Sequence, residues 1–292
     1  MGFPKPTACL GQDGVLPYWG STLVTVPSSI ERIEPFPACA VGILNSIPTS
    51  SVLDLVEQEP HLVDSIVQVG GPIELIPVGK LTEIALTLLV RGYMMRALRV
   101  YEDRRYWRYT LACAISCAEI ALPGEDNNLL AYVGGLLHDI GRLALIAAYP
   151  DRYANLLLLA DRMFRENPRF NLLDHERMLF GLDHFTTGAW LAETWGLPAW
   201  LCSVTGKFDE HGSGEYRELV ATIRSGTRLA HSLGFGYLQA APRVEIREIL
   251  GQLPEAWERW QTLDHWKHGE ELMHDKIQSQ VKLYEIASLE DE

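Results

Sequence analysis

Apolar residues recur at spacings of three and four at Leu129, Val133, Leu136, Ile140 and Leu143, the period of a helix with one face in a core. Similar patterning runs through the chain from about residue 37. Pro37 and Pro60 suit the first turn of a helix, where the missing N–H is not needed. Ser51 with Asp54 resembles a loose capping box, and Gly70-Gly71 closes the helix that Pro60 opens. A long apolar segment, Lys80 to Leu98, comes next. Between 104 and 240 the predicted helices are punctuated by Pro123-Gly124, Pro150-Asp151, Asn167-Pro168, Gly196 to Pro198 and Gly212-Ser213-Gly214. No strongly alternating strand pattern occurs there, so the predicted class is all-α.

The two ends read differently. Seven of the sixteen prolines fall in the first 48 residues, which predicts an extended or partly disordered lead-in over 1–30 with a short strand at Thr22 to Val26. The body is expected over 31–240, as N-terminal helices (31–103) and a helical core (104–240). Residues 241–292 form a helical appendage. In it Met273, Ile277, Val281 and Tyr284 make an apolar stripe, and residues 269–292 carry seven acids against two bases. The stripe reads as packing on the body, with a partner-binding helix as the sharper alternative.

Composition narrows the function classes. A chain of 292 residues with 47% hydrophobic and 22% charged content is that of an ordinary globular protein. Its longest apolar runs are soon broken, as where Arg91 follows Ala85 to Val90, and none approaches the ~20 uninterrupted apolar residues of a membrane helix. The start, Met1-Gly2-Phe3-Pro4-Lys5-Pro6, lacks a signal-peptide layout. A net charge of −13 argues against non-specific nucleic-acid binding. The arginines at 91, 96, 99, 104, 105 and 108 read as a solvated face. Cysteines at 9, 39, 113, 117 and 202, odd in number and without CxxC spacing, point to reduced thiols in a cytoplasm.

The chemistry sits at Gly135 to Leu145, where His138 and Asp139 interrupt an apolar run. A buried ionisable pair is costly unless a metal, a counter-charge or hydrogen bonds compensate it. Imidazole plus carboxylate suits a divalent metal, and it equally suits a pair bonded to each other or to nearby backbone. Mid-helix Gly134-Gly135 implies close helix approach behind the pair. Trp190, Trp195 and Trp200 read as packing. His265, His268 and His274 lack carboxylate or thiolate support and read as surface residues. Phosphate-cradling loops, Gly-x-Ser-x-Gly and Rossmann glycine patterns are absent from the sequence.

Gly-Leu-Leu-His-Asp-Ile-Gly (135–141) resembles the signature of the HD superfamily, known for metal-dependent phosphohydrolases. Glu176, Phe180-Gly181-Leu182-Asp183-His184, Gly188 and Trp195-Gly196-Leu197-Pro198 follow in an order similar to that of the HDOD branch of bacterial signalling domains. Pro35-Phe36-Pro37 and Glu59-Pro60-His61-Leu62 resemble its upstream motifs, so the likeness spans about 33–236. It implies a multi-helix HD-like bundle and a signalling role.

The departures from active HD enzymes matter as much. Tyr109 takes the place of their first histidine, Lys207-Phe208 that of a later His-His, and His231 that of the distant aspartate. Only His138, Asp139 and His184 remain as matching ligand types. Tyr109, with an unperturbed pKa of about 10, is a poor ligand at neutral pH. The pocket by resemblance is therefore His138, Asp139, His184, Tyr109, Lys207 and His231, with no catalytic residue.

The expected protein is a non-enzymatic signal-transduction or regulatory module that binds a protein partner in a bacterial signalling pathway, or a small ligand, with no cofactor and no membrane. The alternative is a residual phosphohydrolase acting on a nucleotide or phosphoester. It would hold one weakly bound divalent metal on His138, Asp139 and His184, with His211 or His231 completing the shell.

Overall fold

Pro60 opens helix α4 (Pro60–Gly70) from its first turn, and Gly71 beyond its end takes φ 83° while its N–H bonds to Val67 O. Breakers of this kind delimit most of the helices in the computed structural model, which describes residues 25–47, 52–97, 104–206, 216–253, 258 and 269–287. Before α4 come α1 (Ser28–Glu31), α2 (Ala38–Ser46) and α3 (Val52–Glu57). After it come α5 (Val78–Gly92), α6 (Arg104–Ile120), α7 (Glu125–Leu137), α8 (Ile140–Ala148) and α9 (Pro150–Glu166). The chain continues through α10 (Leu172–Phe180), α11 (His184–Thr194), α12 (Ala199–Thr205), α13 (Arg217–Ala230), α14 (Ile246–Leu250) and α15 (Gly269–Ala287). The fold is all-α, with no strand among the described residues.

Helix α6 is the central element: it packs against both α7 and α13, which also touch each other, while α8 packs on α11. Small residues permit these approaches. A Cβ on Gly135 would lie 2.7 Å from Cys113 O and 2.8 Å from Ala114 Cα, so α7 rests directly on the backbone of α6. One turn further along α6, a Cβ on Gly226 of α13 would meet Cys117 Cα at 2.7 Å. Cys113 and Cys117 are buried free thiols, small residues at these crossings. The N-terminal helices dock through Phe36 and Tyr93, both packed against the Trp195 ring at 6.0 Å.

The stripe of Met273, Ile277, Val281 and Tyr284 is buried in α15, which lies on α4 and α6, with Lys276 bonded to Glu119 of α6 at 2.6 Å. Packing on the body is its role here. Ile30, inside the expected lead-in, is buried on helix α1. The strand expected at Thr22 to Val26 falls mostly outside the described residues, as do Ser51, Lys207, Phe208, His211, Gly212 to Gly214, His265 and His268.

Two expectations need amending. The apolar periodicity through residues 129–143 predicts one helix, but the chain breaks at His138-Asp139, where Asp139 takes φ −113°, ψ 27° and begins α8. A break leaves C-terminal carbonyls of α7 without ladder partners, and the His138 ring takes one of them, Gly135 O. The expectation that no stretch would rival a membrane helix also changes. Asp126–Ala148 is long and apolar enough to cross one by length and composition. Its apolar window is 89% buried within the fold, as the core of a globular protein would be.

Candidate functional site

The break between α7 and α8 turns His138 and Asp139 into a buried cluster also joined by residues of α6, α9, α10 and α11. Local sequence explains how His184 arrives there. Phe180 stacks on Tyr149 and Tyr153, Gly181 ends α10 with φ 81°, and Asp183 caps α11 by accepting from Thr186 N at 2.7 Å. Arg177 holds the cap by donating to Asp183 Oδ2 at 2.6 Å. The Phe-Gly-Leu-Asp-His motif is thus a helix stop, a left-handed turn and an N-cap that aims His184 inward.

Tyr109, His138, Asp139 and His184 converge. Tyr109 Oη lies 3.0 Å from His138 Nε2, and His184 Nε2 lies 4.0 Å from Asp139 Oδ1. His231 points elsewhere: its Nε2 is 3.1 Å from Ala241 O, and a Cβ on Gly236 would strike its ring at 1.8 Å. Among the described residues its hydrogen bonds do not reach the pocket. The place of Lys207 lies outside the described residues.

Four further residues complete the site. Arg142, in the first turn of α8, donates from Nε to Asp139 Oδ2 at 2.5 Å, from Nη1 to Tyr153 Oη at 3.1 Å and from Nη2 to His184 Nε2 at 3.1 Å. Glu176, wholly buried, accepts from His184 N (2.9 Å), His184 Nδ1 (2.6 Å) and Tyr153 Oη (2.5 Å). Tyr106 Oη donates to Asp139 O at 2.7 Å. Tyr237 packs against the cluster, its ring 5.7 Å from the Arg142 guanidinium and stacked on Tyr109 at 6.1 Å.

Sequence reasoning quoted Glu176 only as a motif element and passed over the other three. The available signal for Arg142 was a lone cation in an apolar run, three residues after Asp139 on a helix. Nothing local marks Tyr237.

Donor and acceptor types fix the roles of the two histidines. A guanidinium only donates, so His184 Nε2 accepts from Arg142, and Nδ1 carries the proton given to Glu176. A carbonyl only accepts, so His138 Nδ1, 2.8 Å from Gly135 O, is the protonated nitrogen. Burial lowers the His138 pKa, partly opposed by Asp139. The ring is therefore neutral, and its Nε2 accepts the Tyr109 hydroxyl proton. Burial likewise pushes the Tyr109 phenol well above its ordinary value, so it stays a donor. Burial would raise Glu176, but His184, then Arg142 and the Tyr153 hydroxyl, outweigh it and hold the carboxyl at about 2.

Both imidazole lone pairs and one Asp139 oxygen are thus committed to donors of this chain. Among the described residues no group of three or more His, Cys, Asp and Glu is placed to hold a metal. Tyr109→Phe should cost about 1 kcal/mol, the usual worth of one hydrogen bond. A chemical-denaturation midpoint equal to wild type would mean that the hydroxyl does not hold the His138 ring.

A family model for the HDOD domain matches residues 60–210, just over half of the chain. The chain belongs to the HDOD domain family. This HDOD chain is 28% identical over 135 residues to an uncharacterized protein of Treponema pallidum (strain Nichols), spanning 44% of this chain and a quarter (25%) of that relative's length. Three solved structures share its fold. A Marinobacter aquaeolei protein, provisionally named a signal transduction protein, aligns with TM-score 0.60 at 17% identity, over 88% of this chain and 64% of that one. A Shewanella amazonensis protein, provisionally named a phosphohydrolase, aligns with TM-score 0.56 at 17% identity, over 87% and 94%. An HDOD domain protein of unknown function from Geobacter sulfurreducens aligns with TM-score 0.55 at 21% identity, over 91% and 92%. At these identities the likeness is one of fold.

Proposed function

We propose that this HDOD protein is a non-enzymatic signal-transduction or regulatory module of a bacterial cytoplasm, working by binding a protein partner or a small ligand without a metal cofactor. The observation that carries this reading is the saturation of the would-be ligands. His138 Nε2 accepts from Tyr109, while His184 Nε2 and Asp139 Oδ2 accept from Arg142. A phosphohydrolase of this kind needs a metal to acidify water and to neutralise charge on phosphate oxygens. The residues present do not fit one, because both imidazole lone pairs and one of the two Asp139 oxygens would first have to lose an internal donor. The provisional naming of the Marinobacter fold relative as a signal transduction protein agrees with this reading, whereas that of the Shewanella relative favours hydrolysis. The donor set of this chain supports the first of the two.

The test is elemental analysis of the purified protein for Mn, Fe, Co, Ni and Zn, with turnover assays on phosphoesters and nucleotides in each metal. Metal well below one equivalent and no turnover above the blank are expected. Stoichiometric metal and turnover that both vanish in His138→Ala would overturn the reading.

A further inference from the structure

Residues 236–245 run from a π-helical turn, His231–Phe235, to α14 without helix or strand. The segment is fixed at both ends. At the first, Phe235 is buried, and a Cβ on Gly236 would lie 1.8 Å from the His231 ring. At the second, Ile249 and Leu250 of α14 are wholly buried. Three hydrogen bonds tie down the stretch between: Ala240 N donates to Asp161 Oδ1 at 3.1 Å, His231 Nε2 to Ala241 O at 3.1 Å and Ser232 Oγ to Val244 O at 2.6 Å. Gln239, Pro242 and Arg243 are exposed, whereas Tyr237 is buried at 4% exposure. Its ring fills a slot with three faces: Tyr109 stacked at 6.1 Å, Tyr106 edge-on at 5.5 Å and the Arg142 guanidinium at 5.7 Å. Two aromatic rings and a guanidinium so placed attract a planar aromatic ring by quadrupole and cation–π interactions. One buried ring, the half-buried Leu238 and three hydrogen bonds hold the segment against its backbone entropy. A stretch with so few buried contacts opens locally while a packed core stays folded.

We propose that residues 236–245 are a strap that lifts as a unit while helices α6 to α11 stay folded, and that Tyr237 is a tethered plug in a slot that accepts the planar aromatic ring of a small ligand. This rests on the ligand-binding side of the regulatory reading. Its test uses neither metal content nor turnover, so either can fail without the other. Lifting the strap removes one face from the slot and leaves the other three, on α6 and α8, in place. Tyr237→Ala empties the slot, and Tyr237→Phe keeps it plugged.

The experiment joins hydrogen exchange with thermal melting of the full chain. In wild type the Ala240 amide should exchange roughly a hundredfold faster than that of Leu111 in α6, at a rate almost indifferent to low denaturant. Tyr237→Ala should melt within roughly 5 °C of wild type, since a strap that can lift caps the loss, whereas truncating a ring of the fixed core costs roughly 10 °C or more. The probe is p-cresol, the tyrosine side chain itself, against 4-methylcyclohexanol, which has a similar outline without an aromatic face. With p-cresol about a hundredfold above its Kd, Tyr237→Ala should gain roughly 5 °C. The saturated alcohol should give less than half that gain, and wild type and Tyr237→Phe should gain nothing from either. Four results would overturn the proposal: Ala240 exchanging no faster than Leu111, Tyr237→Ala losing 10 °C or failing to fold, p-cresol acting no better than 4-methylcyclohexanol, or an equal gain in wild type.

Discussion

Gly141→Ala should leave little folded protein. The added Cβ would lie 1.9 Å from His184 O, 2.4 Å from Gly188 N and 2.9 Å from Gly188 Cα, so the obstacle is the backbone of α11 and not a side chain that could rotate away. Helix α11 has nowhere to go, since a Cβ on Gly188 would itself meet Thr205 O of α12 at 2.8 Å. Helix α8 cannot retreat without pulling Asp139 and Arg142 off His184. Overpacking of a well-packed core costs about 1–3 kcal/mol when side chains can yield, and a rigid backbone contact should exceed ~4 kcal/mol. Soluble yield and a melting curve measure it. The control is Gly79→Ala, in the first turn of α5 with nothing within 4 Å of the added methyl. It should be neutral, or stabilising by up to ~1 kcal/mol. A Gly141→Ala variant that melts within about 2 °C of wild type, under ~1 kcal/mol for a chain of this size, would disprove the close α8–α11 contact.

Glu176→Ala should be nearly as damaging, at about 3–5 kcal/mol. It strips the acceptor from His184 N, His184 Nδ1 and Tyr153 Oη together and leaves Arg142 facing one carboxylate instead of two. Glu176→Gln keeps an acceptor oxygen and should cost less than half as much. The same residue sets an acid dependence. Its pKa is depressed in the folded state from the ordinary 4.5 to about 2, so its contribution is complete above pH 4.5 and is lost as pH falls through 2. The shift corresponds to roughly 3 kcal/mol. Wild-type stability, followed by denaturant titration at successive pH values, should therefore decline through that window, and Glu176→Gln should flatten the decline. An unchanged slope in Glu176→Gln would show that other groups carry the acid sensitivity.

How much of this was legible in the sequence depends on the range of the forces involved. Helix starts and stops are decided by a few neighbouring residues: the ring of Pro60, the left-handed turn at Gly181, the cap at Asp183. Those are readable, as is the burial of Met273, Ile277, Val281 and Tyr284 from their spacing. The adjacency of His138 and Asp139, and the relation of Tyr109 and His184 to them, follow from motif order because the motif encodes the turns that aim them. The break in the 129–143 helix was not legible, since the apolar period runs through it in phase. It depends on Tyr106 Oη bonding Asp139 O from 33 residues away and on the fit of Gly141 against α11.

The sequence by itself determined an all-α HDOD chain with a histidine–aspartate pair set in an apolar run. Only the tertiary structure decided what satisfies that pair. Arg142 carries a charge whose partner could lie in any direction a helix face allows. Its engagement with His184 and Glu176 exists because α10 and α11 fold back over α8, bringing together groups 42 and 34 residues apart in the chain. His231 and Tyr237 illustrate the same limit in opposite senses, one turned out of the site toward Ala241 and the other brought over it. Short-range sterics and hydrogen bonds write a local pattern, whereas the orientation of a side chain at a helix crossing is set by whichever surface packs against it.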